Sequence, residues 1–362
     1  MNTEDHIPEE NEKQEPSQHQ APDTTPVQEQ EKEAAPAGDT LEFRSRIDLS
    51  ALQAAVAQTR EELSGVIVGQ TNMIDMLITA LLANGHVLIE GVPGVAKTIT
   101  AKLLSKALAV DFSRIQFTPD LMPSDILGTS VFDLKKSEFE FRKGPVFSNM
   151  LLIDEINRAP AKTQAALFEV MEERQITMDG QRYPLPPPFM VLATQNPVEQ
   201  EGTYRLPEAQ LDRFLFKIDV EYPSLEEEIE IITREHTLGD TPKTDKIDPF
   251  LSREQVSGYQ KLVNEVRIEP HLLKYIAEII INTRNNPFLY LGASPRASIA
   301  ILKASKAYAA INGRDFVTPE DIKQVAVPVL QHRIIITPER EMEGVTAKQV
   351  IQQIIQTVEI PR

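Results

Sequence analysis

From about residue 41 onward, apolar positions recur either at helical spacing or in short β-type runs. Asp48 and Ser50 precede A-L-Q-A-A-V-A-Q-T-R-E-E-L, which predicts a capped helix, and T-N-M-I-D-M-L-I-T-A-L-L after Gly69-Gln70 predicts a second. Val87 to Glu90 is a short β-type run, broken by Gly91 and Gly94, and from Thr98 the segment I-T-A-K-L-L-S-K-A-L returns to helical spacing. Met150 to Ile153 is apolar without interruption, as a parallel strand buried on both faces requires. Phe189 to Pro197 and F-L-F-K-I-D-V, beginning at Phe214, predict a third and a fourth strand. Two segments alternate like hairpins: S-V-F-D-L with E-F-E-F-R-K-G, and R-Q-I-T-M-D-G-Q-R-Y-P-L, where Asp179-Gly180 supplies the turn. Ser224 to Arg362 reads as helical throughout, with Ser294-Pro295 and Thr318-Pro319 as helix starts. Strands separated by helices predict an α/β fold with a parallel sheet, followed by a helical segment.

Composition narrows the picture. The chain has 362 residues, 41% of them apolar, which is enough for two packed domains and some unstructured sequence. Without cysteine it can have no disulfide framework, Cys-ligated zinc or thiol nucleophile. His86, His236, His271 and His332 lack H-x-x-x-H or similar spacing, which argues against a histidine metal site. The formal charge of −17 argues against broad nucleic-acid binding. More than half of it falls in residues 1–40, where eleven acidic residues face two lysines and large apolar side chains are nearly absent. Such a segment cannot bury enough surface to offset its ordering entropy, so it is read as a disordered acidic tail. It lacks a basic stretch followed by an apolar one, and no run of about 18 apolar residues occurs, so neither a signal peptide nor a membrane span is expected and the cytoplasm is the expected compartment.

Chemistry enters at Gly91 to Thr98, G-V-P-G-V-A-K-T, between the first strand and its helix. A glycine-rich turn feeding a helix leaves backbone N–H groups pointing outward at the positive end of the helix dipole, which favours phosphate. Lys97 would reach the β- and γ-phosphates and Thr98 would hold Mg²⁺. Ala96 stands where the general pattern has glycine; the expectation is that it already lies in the first helical turn with negative φ. V-I-V-G-Q, Val66 to Gln70, could wall an adenine pocket. The strand at Met150 delivers Asp154 and Glu155 to its carboxyl end, the edge at which open α/β sheets bind ligands. An acidic pair there is equally a helix N-terminus, but beside a phosphate loop Asp154 suits the Mg²⁺ shell and Glu155 the activation of water. Asn196, at the tip of the third strand, can orient that water or sense the γ-phosphate; Asn before Pro is also a common turn starter.

These motifs resemble the AAA+ ATPases and, within them, the MoxR family. The resemblance is carried by G-V-P-G-V-A-K-T at 91–98, L-I-D-E-I-N-R-A at 152–159 and, most specifically, A-T-Q-N-P-V-E-Q-E-G-T-Y-R-L-P-E-A-Q-L-D-R-F at 193–214. It covers about residues 50–360. It implies a nucleotide loop of Gly91, Val92, Pro93, Gly94, Val95, Ala96, Lys97 and Thr98, with Asn196 as the sensor-1 amide. It further implies Arg213 as the arginine finger offered to a neighbouring subunit, with Arg205 or Arg158 as alternatives, and Arg296 as the sensor-2 arginine of the lid. From its own surroundings Arg296 stands at the start of a long helix, where it could lean over phosphates or be a plain surface arginine. The implied organisation is a tail at 1–40, an AAA+ core at 41–222 carrying a helix-2 insert and a pre-sensor-1 hairpin, and an α-helical lid at 223–362.

The resemblance implies ATP hydrolysis with Mg²⁺ in a homo-oligomeric ring, a hexamer, that acts in a chaperone-like or remodelling role on a protein client. MoxR proteins are typically paired with partners carrying von Willebrand factor A domains; this chain has no D-x-S-x-S site, so the partner would be a separate protein. The rival reading is a nucleic-acid motor, whose hairpins should be basic. Here Lys135, Lys136, Arg142, Lys143, Arg174 and Arg182 are interleaved with Glu138, Glu140, Glu172, Glu173 and Asp179. A non-hydrolysing nucleotide switch is the second rival, and the set of Lys97, Asp154, Glu155, Asn196 and Arg213 argues against it.

Overall fold

The computed structural model describes residues 47–92, 94–196, 204, 206–238 and 247–360. The acidic tail, Pro93 and Arg205 lie outside the described residues.

Helices α1 (Ser50–Ser64) and α2 (Thr71–Leu82) lead into β1 (Val87–Gly91), which is followed by α3 (Lys97–Ala107), β2 (Phe112–Gln116) and α4 (Pro123–Leu127). A hairpin of β3 (Gly128–Asp133) and β4 (Glu138–Lys143) precedes β5 (Met150–Asp154) and α5 (Ala161–Glu173). A second hairpin, β6 (Gln175–Met178) and β7 (Gln181–Pro184), leads to β8 (Met190–Gln195), α6 (Glu208–Leu211) and β9 (Phe216–Val220). The helical segment then comprises α7 (Leu225–Leu238), α8 (Arg253–Glu265), α9 (Pro270–Asn285), the short β10 (Leu289–Leu291), α10 (Pro295–Ile311), α11 (Pro319–Leu330), β11 (Ile335–Ile336), α12 (Pro338–Met342) and α13 (Ala347–Thr357).

Five strands form a parallel sheet in the order β2-β5-β8-β1-β9. Every residue of β5 is buried, and successive residues feed opposite faces. Val87 and Ile89, Met150 and Leu152, and Met190 and Leu192 join one apolar core with α1–α3, α8–α11 and α13. Leu88, Leu151, Ile153, Val191 and Ala193 join the other, with α5. The carboxyl ends of β1, β5 and β8 therefore share one edge, and their amino ends the opposite edge.

The purely helical expectation for Ser224 to Arg362 needs correction, because β10 and β11 pair as a short antiparallel ribbon. That segment is otherwise helical, and Thr318 caps α11 as its sequence predicts. Both hairpins form where alternation places them; Asp179 and Gly180 take φ of 51° and 77° in the turn. Among the described residues no helix is long and apolar enough to cross a membrane.

Candidate active site

β1 ends at Gly91, where a methyl group would lie 2.8 Å from the Val220 carbonyl oxygen of β9, so only glycine allows the two chains to run so close. Gly94 takes φ of +91°. Ala96 contradicts its expectation: it lies outside the helix, at φ 59° and ψ 12°, and α3 starts one residue later. The turn into α3 needs a left-handed residue at this place, and alanine accepts the strain. No side chain caps α3, so its leading N–H groups are left for an anion. Lys97 donates to the Gly91 carbonyl oxygen across the loop. Burial lowers the Lys97 pKa, opposed by Asp154, Glu155 and Glu90.

At the carboxyl end of β5, Asp154 is buried and held twice. Its Oδ2 accepts from Arg114 Nε at 2.6 Å and its Oδ1 from the Thr194 hydroxyl at 3.2 Å. The same hydroxyl oxygen accepts from the Glu155 N–H at 3.2 Å. Glu155 leaves the strand at φ 56°, ψ 52°, and its carboxylate pairs with Arg158 Nε at 2.8 Å. A pocket of about 380 Å³ gathers Lys97, Thr98, Arg114, Asp154, Glu155 and Asn196. Asn196 is itself buried at the tip of β8. Arg114 is the member that sequence reasoning missed. Its signal is D-F-S-R-I-Q-F, a short strand whose polar positions conceal it.

Arg213 and Arg296 are not in this pocket. Both contact Glu172 near the end of α5: Arg213 Nε at 2.7 Å and Arg296 Nη2 at 2.9 Å. Two residues on, Arg174 donates to Asn84 just ahead of β1, and Leu215 N–H donates to the His86 carbonyl at 2.8 Å. The arginine pair thus sits at the amino ends of the strands, a five-residue strand or roughly 16 Å from the phosphate loop. Arg158, by contrast, pairs with Glu155, which lines the pocket.

Residues 86–216, the span from the first strand past Arg213, match the family described as "ATPase family associated with various cellular activities (AAA)", and residues 281–354 match the AAA lid domain. The chain is 44% identical to Chaperone MoxR1 of Mycobacterium tuberculosis over 310 residues, covering 83% of this chain and 81% of that protein. The chain belongs to the MoxR family of AAA+ ATPases. The uncharacterized protein YeaC of Bacillus subtilis is 46% identical over 301 residues, 83% of this chain and 93% of its own length. A crystal structure of a protein from Cytophaga hutchinsonii superposes with a TM-score of 0.80 at 44% identity, covering 87% of this chain and 97% of that one. In this MoxR-family chain the donor set at the pocket suits Mg²⁺. A threonine hydroxyl and a buried carboxylate are hard oxygen ligands, few enough to leave coordination places for water and phosphate.

Proposed function

We propose that the protein hydrolyses ATP as a subunit of a homo-oligomeric ring, a hexamer, and uses the energy to remodel a protein client, with a von Willebrand factor A domain protein as its partner. The observation that carries this reading is the division of the phosphoryl-transfer groups between the two edges of one sheet. The α3 N–H groups and Lys97 bind the phosphates; Thr98 and Asp154 would hold Mg²⁺, which when bound neutralises charge on the β- and γ-phosphates. Glu155 accepts a proton from the attacking water as its oxygen bonds to the γ-phosphorus and the bond to the leaving ADP oxygen breaks, and Asn196 orients that water. Arg213 cannot reach across its own sheet, so its charge serves a neighbouring subunit's ATP.

The paired hairpins support a protein client over a nucleic acid. Phe132 and Phe139 meet edge to face at 5.2 Å, yet both rings remain exposed, with Leu134 beside them. Apolar side chains on an arm of mixed charge fit polypeptide better than a phosphate backbone.

Nucleotide affinity and steady-state hydrolysis of two variants test the chemistry. Lys97→Ala is expected to lose nucleotide binding. Glu155→Gln is expected to keep binding and lose turnover; hydrolysis by Glu155→Gln at the parent rate would remove Glu155 from its role.

A further inference from the structure

Arg213 and Arg296 belong to different parts of the chain, the first just ahead of β9 and the second in the first turn of α10, yet they share one carboxylate. Glu172 Oε2 accepts from Arg213 and Oε1 from Arg296, at 2.7 and 2.9 Å. Two guanidinium groups side by side repel; a carboxylate between them cancels one charge and leaves one net positive charge to face an anion. The Arg213 hydrogen bond, foremost among the causes, lowers the Glu172 pKa, so the carboxylate stays ionised at neutral pH.

The backbone behind the pair is fixed as well. Asp212, next to Arg213, accepts from Arg333 Nε at 2.6 Å and from the Ser294 hydroxyl at 3.1 Å. Ser294 is the N-cap of α10, but its hydroxyl makes no capping bond and goes to Asp212 instead. Arg333, whose side chain is 3% exposed, also donates to the Asp212 and Leu215 carbonyls, which ties down the segment that carries Arg213. Asp212 therefore joins the start of α10 to that segment, and Glu172 joins the two side chains that project from them.

We propose that Glu172 is a positioning residue that holds Arg213 and Arg296 together as one cationic fork, presented to the γ-phosphate of a neighbouring subunit's ATP. The proposal rests on the reading of Arg213 as a group that acts between subunits. Glu172 touches no nucleotide; it acts by keeping two like charges side by side on one carboxylate. Toward the described residues Arg213 keeps Nη1 for an incoming phosphate, and Arg296 keeps Nε and Nη1.

The test compares kcat and KM for ATP in Glu172→Ala, Glu172→Gln and Glu172→Asp, with melting temperature and assembly measured alongside. Loss of preorganised geometry of this kind costs roughly 10²-fold in rate. Glu172→Ala is expected to lower kcat on that scale with KM nearly unchanged, because each subunit's own pocket is intact. Glu172→Gln, which preserves shape without charge, is expected to be similarly slow, and Glu172→Asp to recover part of the loss. Mixing places the defect. Glu172→Ala subunits should regain hydrolysis when assembled with Lys97→Ala subunits, which offer an intact fork, and regain none with Arg213→Ala subunits.

Hydrolysis by Glu172→Ala at or above the parent rate overturns the proposal, as does recovery with Arg213→Ala. If Arg213→Ala and Lys97→Ala fail to rescue each other although they co-assemble, the between-subunit reading itself falls. If that pair succeeds while Glu172→Ala and Lys97→Ala do not, only the role given to Glu172 falls.

Discussion

Ala96 shows how much a single residue's conformation matters in the phosphate loop. A left-handed alanine costs about 1–2 kcal/mol, part of which glycine's greater freedom in the unfolded chain would cancel. Ala96→Gly is expected to stabilise the protein by roughly 0.5–1 kcal/mol in urea unfolding and to leave nucleotide affinity within a few-fold; a destabilised variant would contradict the strain. The expectation of negative φ failed because helix propensity favours alanine inside a helix, whereas this position precedes one. Lys97, Thr98, Asp154, Glu155 and Asn196 were legible because each closes a strand or opens a helix. Arg114 and Glu172 were not, since their roles come from partners distant in sequence. His86 adds a pH signature. Its Nδ1 accepts from Val191 N–H and its Nε2 faces the Met171 carbonyl, and burial, followed by the Arg174 charge, lowers its pKa to about 3. Unfolding lets it take up a proton below about pH 6.5, so its contribution is complete above that value and is lost as pH falls toward 3. At pH 5 the loss is about 2 kcal/mol. Unfolding free energies at pH 7 and pH 5 should therefore differ more in the parent than in His86→Asn; equal differences would contradict the assignment.

At the scale of elements, the clearest predictions came from strong periodicity or a named turn. α2 matches its predicted segment from Thr71 to Leu82, and the hairpin at Asp179-Gly180 forms where the turn residues place it. β2 escaped because its residues alternate only partly and it lies at the sheet edge, where one neighbour suffices. β10 and β11 are too short to show a period. α13 falls in the segment read as helical, and Thr346 and Gln349 form a capping box at its start. The two hairpins act as one arm. Ser130 bonds Asp179 between them, and the Phe141 and Tyr183 rings meet with centroids 4.7 Å apart. The end of that arm exposes 85% of Leu134 and 73% of Phe139, the largest unburied apolar surface on either hairpin. Replacing both by serine is expected to abolish suppression of aggregation of a heat-denatured test protein and to leave hydrolysis within about twofold. Leu134 and Phe139 are exposed rather than part of either core, so replacing them should not disturb the fold. Unchanged suppression would sink the client-contact role.

For the whole molecule, the sheet separates the pocket from the arginine pair. Phosphate loop, Asp154 and Glu155 stand at the carboxyl ends of the strands, and Arg213 with Arg296 at the amino ends, roughly 16 Å away. The α/β order and the helical segment were legible in the chain's periodicity. The side of the sheet on which each arginine falls was not, because that depends on how the segment before β9 folds back beside β1. The direct test of hydrolysis between subunits is to mix Arg213→Ala with Lys97→Ala and measure ATP turnover. An arginine finger is worth roughly 10³–10⁵ in rate, so each variant alone is expected to be nearly silent. Together, pockets from the first can meet fingers from the second, and turnover is expected to return in part, varying with mixing ratio and protein concentration; an inactive mixture of variants that demonstrably co-assemble would contradict the account.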